Sequence, residues 1–195
     1  YRFGQQPQIA LWNLAQLGQA LVSLFDTIEP LQAGIDLYSD HFNTQCRAMM
    51  LRKLGLSVMG SQTESDTALT NDLPDVMSSV ETDMTVFYRR LAALPLEGTP
   101  VELHESVLDA LIDAYYLPEQ LTAEYRVTAV AWLRRYRDRV RIEGVSDADR
   151  RLRMNTVNPK YVLRNYMAQL AIDKADEGDY TLVSDLLELL RYPYD

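Results

Sequence analysis

Along most of this chain, apolar residues recur at spacings of three and four, the period of an α-helix with one buried face. Ile9, Trp12, Leu14, Leu17, Leu21, Leu24 and Phe25 outline the first such face. Pro7 stands at its first turn, where a missing N–H costs little, and Pro30 and Gly34 are expected to punctuate its exit. A second helix is expected from about Ile35 to Leu54, with Leu37, Tyr38, Phe42, Cys46, Met49, Met50 and Leu54 turned inward. Gly55 suits the left-handed position that closes it.

Ser57 to Ser65 reads as a polar loop. Asp66 is the expected cap of a short helix through Leu69, Leu73, Val76, Met77 and Val80, which Pro74 should kink or shorten. Asp83 caps the next, carrying Met84, Phe87, Tyr88 and Leu91. Leu94 to Pro100 is the best loop in the middle of the chain, with two prolines and Gly98. A helix is expected from Val101 to Tyr116, and a longer one from Thr122 through Val127, Val130, Leu133, Tyr136 and Val140 to a stop at Gly144. Asp147 to Met154 is short and highly charged. Asn158-Pro159 reads as a cap with proline at the first helical position, opening a helix through Val162, Tyr166, Leu170 and Ile172 that Gly178 ends. Asp179 caps the last, with Leu182, Val183, Leu186, Leu187 and Leu190 along one face. The expectation is an all-α single domain over residues 1–195, of eight or nine helices, with no convincing strand and no fixed repeat.

Composition narrows this picture. Apolar residues at 47% and charged residues at 24% are ordinary globular proportions, so extensive disorder is not expected. The longest apolar runs fall well short of about 18 residues, so no membrane span is expected. No signal peptide is recognisable near the start. The single cysteine, Cys46, leaves no internal disulfide and no cysteine-based zinc site. These features favour a reducing, cytoplasmic setting. The chain opens on Tyr1-Arg2-Phe3-Gly4 rather than on methionine, which reads as the interior of a longer protein.

Charge is unevenly spread. The net charge is −9, yet residues 134–164 hold 10 basic and 4 acidic side chains. Arg134, Arg135, Arg137, Arg139 and Arg141, followed by Arg150, Arg151 and Arg153, are read first as a helix lying across the acidic first half of its own domain. Docking on an acidic neighbour or holding a phosphorylated ligand is the second reading. Nucleic acid is disfavoured, because the interleaved aromatic residues of a single-strand binder are missing.

No catalytic, cofactor-binding or metal-binding residue is assigned. His41 and Cys46 lie five apart, about 140° around a helix, so they do not form a nucleophile–base pair. His104 among Glu102, Glu105, Asp109 and Asp113 reads as a solvated acidic face, since the doubled Glu-x-x-His of a di-iron bundle does not occur. Asp72 and Asp75 read as surface carboxylates. The eight glycines build no phosphate loop and no nucleophile elbow. Asn155, Asn158, Lys160, Arg164 and Asn165 crowd one expected helix start, which permits an anion site but fits an ordered junction better.

Three stretches resemble one family. Tyr1-Arg2-Phe3-Gly4-Gln5-Gln6-Pro7 with Trp12-Asn13-Leu14 resembles the Y-x-F-x-x-Q-P and W-N-L pattern of the selenoprotein O family. Met154 to Tyr166 resembles its M-N-x-V-N-P-K-Y-V-L-R-N-Y signature, and Leu190-Arg191-Tyr192-Pro193-Tyr194-Asp195 resembles its L-x-x-P-Y-D close. The resemblance implies a kinase-like fold that binds its nucleotide inverted and transfers AMP from ATP to protein hydroxyl groups with Mg²⁺ or Mn²⁺. The catalytic N-T-D-N and D-Y-G-P motifs of that family do not occur here and are expected upstream of Tyr1. Some members carry a redox-active Cys or selenocysteine close to the C-terminus. The chain would then be part of the kinase-like C-lobe and the helical extension behind it. Its partners would be the catalytic portion of the same protein and a protein substrate, with no nucleic acid and no membrane. Without the upstream elements, the face of helix 9–25 is expected to stand exposed. The rival reading is a freestanding helical interaction module without catalysis.

Overall fold

A computed structural model describes residues 3–57, 64–97 and 104–195. Among them are eight α-helices and four 3-10 helices; the extended pairing is one isolated bridge, Thr82 with Tyr115. The all-α expectation holds. No helix there is long and apolar enough to cross a membrane. The backbone gathers into two compact units, residues 1–50 and 51–195.

In the first unit, α1 (Gln6–Leu21) runs into a 3-10 turn at Val22–Leu24, and α2 (Glu29–Lys53) follows. Pro7 sits in the first turn of α1 as expected. Pro30 and Gly34 do not end anything. Pro30 is the second residue of α2, where its fixed φ helps a helix begin, and Gly34 lies one turn further in. Tyr38 donates from its hydroxyl to the Pro7 carbonyl at 3.4 Å and stacks on Phe42. The apolar stripe of α1 remains largely open to solvent: Trp12 is 59% exposed, and Leu17 and Leu24 are exposed as well. Leu37 and Met49, expected inward, are also exposed. Cys46 is a half-buried free thiol.

The second unit owns the core. It comprises α3 (Glu64–Ser78), α4 (Met84–Ala93), a 3-10 helix at Glu105–Ala114, α5 (Ala123–Glu143), α6 (Asp147–Asn155), α7 (Asn165–Asp176) and α8 (Thr181–Arg191). Leu69, Leu73 and Val76 of α3 and Phe87, Tyr88 and Leu91 of α4 are buried, as are Trp132, Leu133 and Tyr136 of α5. Trp132 stacks on Tyr136 and donates its indole N–H to the Leu69 carbonyl at 2.9 Å, so its polar edge is satisfied inside.

Several expected punctuation marks are in place. Asp83 Oδ1 accepts from Thr85 and Val86 N–H at 2.9 and 3.1 Å, and Thr122 Oγ1 accepts from Tyr125 N–H at 3.2 Å. Gly55, Gly144 and Gly178 adopt positive φ where helices stop. Asp179 accepts from Thr181 N–H at 3.0 Å but stands one residue before the N-cap of α8, which is Tyr180. Helix α3 holds Pro74 in its last turn and a half and stops at Ser78, short of Val80, as a shortened helix should. Other expectations fail for physical reasons. Asp66 lies inside α3 rather than capping it, because its side chain is buried against Arg139 at 2.6 Å. The helix expected over 101–116 is a 3-10 helix in its described part; Leu108, Leu111 and Ala114 are buried at a spacing of three, which matches three residues per turn. Residues 58–63 and 98–103, with Gly98, Pro100 and Glu102, lie outside the described residues.

Candidate functional site

The stretch 154–166, densest in specific hydrogen-bonding side chains, folds as a junction. Helix α6 stops at Asn155, and the N–H groups of Val157 and Asn158 both donate to the Met154 carbonyl. Asn158 is 1% exposed. Its Nδ2 donates to the carbonyls of Lys53 and Met154 at 2.8 and 2.9 Å, while its Oδ1 accepts from Lys53 Nζ at 3.1 Å. One asparagine thereby ties the end of α2 to the end of α6. The helix expected from Asn158-Pro159 therefore does not start there: Asn158 bonds backward rather than capping forward, and α7 begins only at Asn165.

The residues that follow hold the end of the chain. Backbone N–H groups of Lys160 and Tyr161 donate to the Pro193 carbonyl at 2.6 and 3.1 Å. Arg89 Nη1 donates to the carbonyls of Asn158 and Tyr194 at 3.3 and 3.4 Å. Arg164 pairs with Asp83 at 2.7 Å, and Asp83 also accepts from the Tyr116 hydroxyl at 3.1 Å. Burial by itself would raise the Asp83 carboxyl. The Arg164 guanidinium, the Val86 N–H and the Tyr116 hydroxyl outweigh it and hold the group below its ordinary value.

Beneath the junction, Gly55 has φ +72°, and a Cβ there would stand 2.9 Å from the Cγ atoms of both Arg150 and Met154. Only glycine meets both demands without displacement. Arg150 is 1% exposed. Its Nη1 donates to the Leu91 carbonyl and the Tyr136 hydroxyl at 3.2 and 3.1 Å, and its Nη2 to the Leu94 carbonyl at 2.5 Å and Asp147 Oδ1 at 3.1 Å. A guanidinium thus fills the carbonyl-rich C-terminal end of α4, where positive charge is favoured. Asp147 in turn accepts from Leu96 and Glu97 N–H at 2.8 and 2.9 Å.

The arginine run divides. On α5, Arg135 pairs with Asp72 at 2.7 Å, and Arg139 with Asp66 at 2.6 Å and Glu143 at 2.9 Å. That is the expected basic helix lying on an acidic one. Arg150 is structural, whereas Arg151 and Arg153 are exposed. His41 and His104 are exposed too, and Asp113 pairs with Arg90. Glu105, Asp109 and Asp113 stand in solvent as expected of an acidic face. Lys53 and Arg89 join the junction without any advance signal in the sequence: they stand 105 and 69 residues from Asn158. Chemically, the junction spends its amides and the Arg89 guanidinium on carbonyl oxygens, and the Arg164 guanidinium on the Asp83 carboxylate.

The sequence matches the family described as "Protein adenylyltransferase SelO" over residues 1–191. It is 50% identical over 202 residues to a protein nucleotidyltransferase YdiU of Rhodopirellula baltica, covering 100% of this chain and 37% of that protein. It is 44% identical to one of Aromatoleum aromaticum and 42% identical to one of Flavobacterium johnsoniae, covering 100% of the chain and 35% and 36% of those proteins. The chain thus spans little more than a third of these relatives.

Proposed function

Because the chain belongs to the SelO family of protein adenylyltransferases, we propose that it is the helical C-terminal part of an enzyme that transfers AMP from ATP to protein hydroxyl groups. Its role is to support a kinase-like catalytic lobe built from other residues of the same protein, in the cytoplasm. The observation that carries this reading is how the family-signature residues are used. Met154, Asn158 and Arg164 are occupied in packing, a buried amide network and an ion pair with Asp83. They hold helices together rather than facing a reactant.

ATP with Mg²⁺ or Mn²⁺ is the expected cofactor set of the whole protein. Among the described residues, no three His, Cys, Asp or Glu side chains gather into a group that could hold a metal ion. These residues therefore do not fit the metal, and no step is routed through it here. The exposed stripe of α1, with Trp12, Leu17 and Leu24, is the surface that the catalytic portion would cover. That portion has room to exist, since relatives extend well past the matched region. The protein substrate would approach the completed enzyme.

The test is ATP-dependent labelling with AMP. The 195-residue chain should transfer none to itself or to a protein substrate, while a protein extended to the length of the relatives should label. Robust labelling by the 195 residues alone would place chemistry inside them and overturn the assignment.

A further inference from the structure

The two groups of cations in the second unit are neutralised very differently. Those of α5 face carboxylates: Asp72 for Arg135, Asp66 and Glu143 for Arg139. Around Asn158, cations from two helices meet oxygens that carry no full charge. Lys53, at the end of α2, sets Nζ 3.1 Å from Asn158 Oδ1 and 4.9 Å from the Tyr88 ring centroid. Arg89 of α4 reaches the backbone carbonyls of Asn158 and Tyr194. Arg151 of α6 is exposed, and its charge is felt at Arg89. None of the ion pairs among the described residues involves Lys53, Arg89 or Arg151.

The geometry of Arg89 is specific. Both of its hydrogen bonds leave from Nη1, at 3.3 and 3.4 Å, so the Nη2 and Nε edge is left without a partner among the described residues. That edge is the fork with which arginine grips two oxygens of one phosphate. Burial, and then the nearby charge of Arg151, push the Arg89 guanidinium below its ordinary value, and burial does the same to Lys53. Like charges held together without a counter-charge are a cost that a bound anion would remove. Tyr161 and Tyr194 flank Arg89.

We propose that Arg89 and Arg151, backed by Lys53, form a surface site for a phosphate-class dianion at the junction of α2, α4 and α6. The site does not depend on the adenylyltransferase reading. The phosphate group is the recognised chemistry, whether it comes free or on a nucleotide.

The experiment is titration of the protein with inorganic phosphate and with AMP at constant ionic strength, followed by calorimetry and phosphorus NMR. Saturable binding of phosphate is expected. Equal affinity for AMP identifies the free anion as sufficient, and tighter AMP binding identifies a nucleotide source. Arg151→Gln, which removes an exposed side chain, should weaken binding at least about tenfold, as should Arg89→Gln once thermal melting shows that variant folded. Arg135→Gln, which removes an already paired cation, should leave affinity unchanged. The proposal fails if phosphate does not saturate, if all three variants lose alike, or if a triglutamate peptide binds more tightly than phosphate.

Discussion

Trp12 and Trp132 each stand on an apolar helix stripe, yet Trp12 is 59% exposed and Trp132 only 1%. The first belongs to the unit formed by residues 1–50, where Ala48 is the one buried residue among those described. The second belongs to the unit that holds the core. There α5 is covered by α3 on an acidic and apolar face and by the 3-10 helix at Glu105–Ala114. An amphipathic pattern states which side of a helix needs cover. It does not state what supplies the cover, and α1 finds little of it within its own unit.

The contrast can be tested by deletion. Trp132→Ala should cost about 3–5 kcal/mol, because it opens a large cavity and removes the indole bond to the Leu69 carbonyl. Trp12→Ala should stay within about 0.5 kcal/mol. Urea unfolding followed by circular dichroism reads both, and equal losses would erase the distinction between the two regions.

A smaller effect probes how closely the core side of the junction is packed. Gly55→Ala places a Cβ 2.9 Å from Arg150 and Met154 on a backbone with φ +72°, and should cost about 1–3 kcal/mol. Gly34→Ala, inside α2 with open space around the added atom, should be neutral or slightly stabilising. Similar urea midpoints for the two variants would break the comparison.

The smallest effect concerns acid. The folded Asp83 carboxyl lies below its ordinary value. Its contribution is therefore complete above the unfolded value near pH 4 and is lost as the pH falls through the lowered folded value. Asp83→Asn should cost about 1 kcal/mol at pH 7. It should also flatten the decline of stability below about pH 4, read from melting temperatures across a pH series. An unchanged acid slope would mean that Arg164 and the α4 cap do not depend on that charge.

Much of the helical outline was legible because its signals are local. Asp83 and Thr122 cap the helices they precede, and Gly55, Gly144 and Gly178 take the left-handed turns that only a residue without Cβ adopts readily. Local signals also misled. Pro30 opens a helix instead of following one, and Asn158-Pro159 carries the grammar of a helix start while its amide is bonded to Lys53 and Met154. The candidate site was half legible. Its dense polar stretch stood out, but Lys53, Arg89 and Pro193 come from elsewhere in the chain, and no local spacing points to them.

By itself, the sequence determined helicity, most stops and caps, the basic character of α5 and the family to which the chain belongs. These depend on residues within a turn or two of one another, or on long matched patterns. Tertiary structure alone decided which stripes are covered, that residues 105–114 wind at three per turn, and that Arg150 is buried on carbonyl oxygens while Arg151 beside it is not. Those outcomes depend on which distant groups arrive opposite each side chain, and adjacent arginines on one helix face different neighbours.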